Sequence, residues 1–153
     1  MVSTNSNPFL QGLALSIWFY IENNDAQTNN TSKLITLHSD GFGGVEVFFK
    51  GQELHYRTLN RTYSEVLPND QSVLIGNFQA GKWYYLGLEH ENAKGIGKSC
   101  LKIVINNECK KPVEAALPSI EANSTITRLS LGENFIGRIS SFILFKHSVG
   151  QNR

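Results

Sequence analysis

The stretch Leu13-Ala14-Leu15-Ser16-Ile17-Trp18-Phe19-Tyr20-Ile21 decides the fold. Read with the period of a strand, Leu13, Leu15, Ile17, Phe19 and Ile21 share one face, while Ser16, Trp18 and Tyr20 share the other. The first face enters a core. The second is either covered as well or left as an aromatic patch on the surface.

Working outward, Val45, Val47 and Phe49 repeat the pattern, with Glu46, Phe48 and Lys50 opposite them. Residues 54–59 continue it, with Leu54 and Tyr56 facing in and His55 and Arg57 facing out. Gly51-Gln52 between these runs suits a tight hairpin with one residue at positive φ, so the strands are expected to begin as a meander. Further strand-like runs lie at 73–75, 83–90, 101–105, 127–131 and 139–145, with a shorter candidate at 34–37. Asn106-Asn107 reads as a turn that returns residues 108–113 beside 101–105. Residues 113–122 read as one helical turn or a loop, because Pro118 opposes anything longer. No run reads as an amphipathic helix. Strands with strongly apolar faces are best covered by a second sheet, so the expectation is all-β, a two-sheet antiparallel sandwich.

At 153 residues the chain fits one domain, able to bury roughly 70% of its extended surface without help from a metal or disulfide. No apolar run reaches the length of a spanning helix, and Met1 to Pro8 lacks the basic and apolar regions of a signal peptide. The formal charge of +1 opposes a broad electrostatic surface for nucleic acid or anionic membrane. Lys94, Lys98 and Lys102, joined after the turn by Lys110 and Lys111, form a local basic run: a solvated edge first, a docking patch for phosphate or an acidic partner second. Of the two cysteines, Cys109 should pair across from Val104 while Cys100 lies nearer Val113, too far apart for a disulfide. Reduced cysteines favour a cytosolic setting. The N-x-S/T triplets at Asn29, Asn30, Asn60 and Asn123 are read as chance matches in an Asn- and Thr-rich chain.

Catalytic chemistry finds little support. His38, His55, His90 and His147 lack zinc-helix spacing. In Glu89-His90-Glu91 strand alternation puts the acids on one face and the histidine on the other. There is no G-x-S-x-G elbow, and Glu46 has no acid at i+2 or i+4 to complete a glycosidase pair. Gly41-Phe42-Gly43-Gly44 lacks a Walker lysine and reads as a β connection. Aromatic rings offer the better binding hypothesis. Trp83 and Tyr85 share a face opposite Tyr84, Leu86, Leu88 and His90. Exposed rings could stack on a sugar or enter a protein groove, although a core or inter-sheet role is the stronger expectation, above all for Trp83. On that reading Trp83→Ala costs roughly 3–5 kcal/mol.

These residues carry a resemblance. The run 13–20, then Gly81-Lys82-Trp83-Tyr84-Tyr85-Leu86-Gly87-Leu88-Glu89-His90, then Leu101-Lys102-Ile103-Val104-Ile105-Asn106-Asn107, and the ending Leu131-Gly132-Glu133-Asn134-Phe135-Ile136-Gly137-Arg138-Ile139-Ser140-Ser141-Phe142-Ile143-Leu144-Phe145 resemble concanavalin A-like and laminin G-like jelly rolls. The resemblance is greatest to the lectin-like domain of large BEACH-domain proteins. It implies a concanavalin A-like jelly roll over 9–149, after a flexible segment 1–8 and before a tail 150–153. It aligns Trp18 and Trp83 with recurrent structural aromatics, and Gly137 with a turn before the last strand. Asp40, Asp70 and Asn77 form no recognisable calcium sequence, so no metal site is carried over, and the catalytic acids of related glucanases are absent.

The expected function is a non-catalytic protein-interaction or scaffold module, without cofactor, of a large intracellular protein linked to vesicle trafficking, sorting or autophagy. A carbohydrate-binding module and a structural spacer are the alternatives. The expected binding surface comprises Trp18, Tyr20, Asp40, Phe48, Arg57 and Tyr85, with the lysine run as a docking patch and Trp83 and Gly137 as structural residues. Expected partners are a protein, neighbouring domains of the same chain, or a glycan, with no nucleic acid. The expected location is cytoplasmic, peripheral to endomembranes through the full-length protein.

Overall fold

The structure, a computed structural model, describes residues 12–23, 32–39, 42–59, 72–91, 99–115 and 126–145. These form eleven strands: β1 (Gly12–Ile21), β2 (Lys33–Ser39), β3 (Phe42–Lys50), β4 (Glu53–Leu59), β5 (Val73–Asn77), β6 (Trp83–Glu91), β7 (Cys100–Ile105), β8 (Glu108–Cys109), β9 (Val113–Glu114), β10 (Ile126–Glu133) and β11 (Gly137–Phe145). Two antiparallel sheets result. The six-stranded sheet runs β11-β1-β6-β7-β8 with β9 also on β7, and the five-stranded sheet runs β10-β2-β3-β4-β5.

Alternation sets the inner faces as expected. Leu13, Leu15, Ile17, Phe19 and Ile21 of β1 and Val45, Val47 and Phe49 of β3 are buried, and all belong to one core. Aromatic rings tie the layers together: Phe19 stacks on Tyr84 (centroids 5.6 Å apart) and meets Phe78 edge-on at 5.1 Å and Phe49 of the facing sheet at 6.3 Å. Truncating such a ring costs about 3–5 kcal/mol.

Two hairpins follow their turn residues. Lys50 pairs with Glu53 around Gly51, whose φ of 60° glycine adopts without the penalty a Cβ brings. Ile105 pairs with Glu108 around Asn106-Asn107, and Asn106 takes a φ of 55°. Cys109 accordingly pairs with Val104 and Cys100 with Glu114, and both thiols are free.

Two expectations are corrected. The meander holds for β2 to β5, but β1 lies in the other sheet, between β11 and β6. Its ladder partners come from the far end of the chain, which local pattern does not encode. Val113–Glu114 is a short strand on β7 rather than part of a helical turn, because Leu101 and Cys100 offer it a ladder. The domain limits at 8/9 and 149/150, His147, Asp70 and the four glycan triplets lie outside the described residues.

A polar link crosses the core. Tyr56 Oη lies 2.8 Å from His90 Nδ1, and His90 Nε2 lies 2.8 Å from the Ala115 carbonyl oxygen. A carbonyl only accepts, so Nε2 carries the proton, Nδ1 accepts and the tyrosine hydroxyl donates. Burial pushes the Tyr56 hydroxyl far up, which keeps its proton in place. Burial also lowers the His90 pKa, against the opposing pull of the Ala115 bond. His90 is therefore a neutral ring joining β6 to β4 of the other sheet.

Candidate recognition face

The outer face of the six-stranded sheet brings four aromatic side chains together. Register places Trp18 beside Tyr85 and Tyr20 beside Trp83 on β1 and β6. Their ring centroids stand 5.4 Å apart at 59° and 5.6 Å apart at 47°. Trp18 is 41% and Trp83 42% exposed. Neither indole Nε1, nor the Tyr20 or Tyr85 hydroxyl, bonds to any described residue. The patch thus couples apolar ring surface to four polar tips that no described residue bonds, a combination suited to a ligand that is partly apolar and partly hydroxylated or carbonyl-bearing.

Small neighbours shape it. Ala14, Ser16 and Gly87 occupy the centre of the same face, and Ser16 pairs with Gly87. The Tyr85 ring lies down along its own strand over Gly87, where a Cβ would stand 3.4 Å from it in ordinary contact. Asn106 fixes the other side of Tyr85: its Oδ1 accepts the Tyr85 N–H at 3.0 Å and its own N–H donates to the Tyr85 carbonyl at 2.9 Å. Beyond β1, Arg138 lies over the Tyr20 ring at 5.6 Å, with its Nε 3.4 Å from Glu22. Gly137 permits the close approach of β11 to the β1 backbone, since a Cβ there would overlap the Tyr20 carbonyl oxygen and the Phe135 ring.

The outer face of the five-stranded sheet is built differently. Glu46 points outward yet is 3% exposed. Lys33 Nζ donates to Oε1 at 2.9 Å and Arg57 Nε to Oε2 at 2.7 Å. Burial pushes this carboxyl up, but the Lys33 bond and the Arg57 charge outweigh it and hold the pKa below the usual range. His38 Nε2 stands 3.9 Å from Glu46 Oε1. Burial lowers its pKa, with Arg128 and Lys33 adding to the shift and Glu46 opposing it.

The anticipated surface therefore divides. Trp18, Tyr20 and Tyr85 come together on one sheet, whereas Phe48 and Arg57 lie on the other. Phe48 is not a surface ring. It is 5% exposed, stacked on His55 at 5.7 Å and covered by Arg57 at 4.4 Å and Lys50 at 5.7 Å. Arg57 is engaged by Glu46. Trp83 is not a core residue either, since strand parity turns it outward beside Tyr20. Of the lysine run, Lys102 pairs with Glu91 at 2.8 Å, a bond that raises its pKa, while Lys110 and Lys111 are exposed. Asp40, Lys94 and Lys98 lie outside the described residues. Sequence reasoning missed Arg138, Asn106 and Gly87 as shapers of the patch; only the Gly87 placement within an aromatic strand hinted at it. Among the described residues no group of three His, Cys, Asp or Glu could hold a metal ion, and no helix is long and apolar enough to cross a membrane.

Comparison with solved structures reads this geometry as a known architecture. The chain is similar to the botulinum neurotoxin serotype G binding domain, with a TM-score of 0.60 and 14% identity over 98% of this chain and 36% of that one. It is also similar to the botulinum neurotoxin type G receptor binding domain, with a TM-score of 0.58 and 15% identity over 92% and 36%. The fold is an all-β sandwich of two antiparallel sheets, of jelly-roll type. No family model matches the jelly roll's sequence. It is 27% identical over 154 residues to the BEACH domain-containing protein lvsE of Dictyostelium discoideum, covering 95% of this chain and 6% of that protein. The jelly roll thus spans a small fraction of its curated relative and about a third of the structures it matches.

Proposed function

We propose that the chain is a non-catalytic recognition module that binds carbohydrate through the aromatic face of the six-stranded sheet. The observation carrying this is the cluster of Trp18, Tyr20, Trp83 and Tyr85, with both indoles exposed, both phenols half-buried and no side-chain polar atom bonded to a described residue. Pyranose rings offer C–H faces to such aromatics and hydroxyls to their tips. The lectin-like fold and its likeness to binding domains support the reading. A glycan array probed with the whole chain tests it. Binding should be found and should weaken at least about tenfold, or about 1.4 kcal/mol, in Trp18→Ala and Trp83→Ala. A folded chain that binds nothing across diverse glycans would overturn it.

A second reading has its own observation, the 27% identity over nearly the whole chain to a short stretch of a much larger BEACH protein. On that reading the unit spanning 9–149 is an interaction or scaffold module of a large cytoplasmic protein of vesicle traffic, and the same aromatic face packs against a neighbouring domain or protein. Loss of a defined partner from the full-length protein on Trp83→Ala, without glycan binding, would favour it.

A further inference from the structure

We infer that the aromatic face, on the carbohydrate reading above, takes acidic oligosaccharides: Arg138 holds the carboxylate of one sugar while a bulge in β11 offers paired hydroxyls to the next. β11 borders the rings along β1. Arg138 pairs with Tyr20 and Ser140 with Trp18, so the face is laid out in rows that run from a polar residue of β11 through a ring of β1 to a ring of β6. One row is Arg138, Tyr20 and Trp83, and the other is Ser140, Trp18 and Tyr85. Rows two residues apart along a strand are about 7 Å apart, wider than one pyranose, so a ligand that engages both spans more than one sugar.

An irregularity builds the second row. Ser16 and Trp18 of β1 face Ile143 and Ser140, and between those pairs β11 carries one residue more than its partner. Regular alternation would send Ser141 to the inner face, away from Ser140. Instead Ser141 takes a φ of 50°, a conformation that costs a residue with a Cβ, while Ile139 and Phe142 on either side of the serines pack toward the core. Both serines are exposed, and their hydroxyl oxygens stand 3.5 Å apart. Neither hydroxyl bonds any other described residue. The extra residue thus adds a second hydroxyl to the outer face beside the exposed Trp18 ring.

The first row supplies the charge. Arg138 is held from two sides, with its guanidinium over the Tyr20 ring at 5.6 Å and its Nε 3.4 Å from Glu22 Oε1. Its two Nη groups have no hydrogen bond to a described residue. A guanidinium fixed in this way presents parallel N–H donors that match the two oxygens of a carboxylate. Glu22 approaches on the Nε side, so it orients the fork without filling its end. The further acids of this face, Glu89 and Glu91, stand at the opposite end of β6 from Trp83. Charge therefore gives the face a direction, drawing an anionic sugar to the row of Arg138 and away from the row of Glu89.

A glycan array of matched sets, probed with the whole chain, tests this. Each set holds a glucose, galactose or mannose oligomer, the uronate oligomer of the same linkage and length, and an O-sulfated form of the neutral oligomer. A further set holds chains with and without a sialic acid cap. Carboxylated members should bind at least about tenfold more tightly than their neutral partners. Arg138→Gln should equalise the two and leave the urea midpoint unchanged, because the side chain is 67% exposed. Ser141→Gly suits the φ of 50° and deletes one hydroxyl, so it should keep the fold and weaken capture of neutral and carboxylated members alike by about threefold. Equal binding of neutral and carboxylated members overturns this inference and leaves the carbohydrate reading standing. So does a preference for sulfated members alone, a carboxylate preference that survives Arg138→Gln, or undiminished capture by Ser141→Gly. A folded chain that binds no member overturns both.

Discussion

The outer faces of the two sheets solve one problem in opposite ways. Both carry large side chains pointing away from the core, yet Glu46, Phe48 and Arg57 of the five-stranded sheet close over one another, whereas on the six-stranded sheet Trp18 and Trp83 stay exposed beside the half-buried Tyr85 and Tyr20. On the first face the Glu46 carboxylate, Lys33 and Arg57 bond to one another. On the second the polar tips bond to no described residue. Exposure alone is therefore not the mark of a recognition surface. What distinguishes the aromatic face is that no described residue takes up the hydrogen-bonding capacity of its ring tips, on which its proposed role depends.

The sharpest way to break this contrast is Glu46→Ala. Lys33 and Arg57 would be left facing each other over a desolvated hole. Removing one partner of a buried ion pair costs about 3–5 kcal/mol, and the partial exposure of both cations brings the expectation to about 2–3 kcal/mol in urea unfolding. A loss below about 0.5 kcal/mol would show that the cluster is merely solvated surface.

Acid provides a milder probe of the same sheet and of the core link. His38 and His90 both have pKa values lowered from the ordinary 6.5, so the unfolded chain binds protons more readily than the folded one. Their contribution is fully present above 6.5 and is lost as pH falls from there toward the lowered values. Glu46 adds a second loss as pH falls through 4.5, because its folded pKa is also depressed. Stability measured against pH should decline below 6.5 and steepen below 4.5. His90→Gln should be less stable at neutral pH and flatter in the upper window. A wild-type curve level between 6.5 and 5 would contradict the buried neutral ring.

The smallest expected effect on stability lies on the aromatic face. Trp83→Ala and Trp18→Ala should each cost no more than about 1 kcal/mol, far from the value for a core ring, while abolishing ligand capture. Phe19→Ala, one residue along β1 and on the opposite face, should cost about 3–5 kcal/mol. Equal losses for Trp18 and Phe19 would erase the distinction between the faces of this strand.

Much of the fold was legible because it is written locally. Alternation in β1, β3 and β6 assigned side chains to faces, and Gly51 and Asn106 marked the two hairpins by the positive φ their turns require. The place of β1 between β11 and β6 was not legible, since its partners are distant in sequence. The site was half legible for a related reason. Period two says that Trp83 and Tyr85 lie opposite Tyr84, but which side meets solvent depends on what neighbouring strands supply. Glycine and serine beside Trp18 and Tyr85 leave rings open, while Arg57 and Lys50 beside Phe48 shut one in. Lys50 stands in the same run as Phe48, but Arg57 reaches it from β4, and that cross-strand contribution a single run cannot reveal.

The Tyr56–His90–Ala115 connection carries one more consequence. Oily layers can slide past each other with little change in contact, so leucine, valine and phenylalanine alone would accept several superpositions of the two sheets. A hydroxyl that must find one ring nitrogen, with the other nitrogen already held by a carbonyl, is satisfied in a single superposition. Displacing either sheet by one pleat would strand two polar atoms in hydrocarbon. These three groups thus select the alignment that keeps both outer faces, one closed and one open, turned toward their separate surroundings.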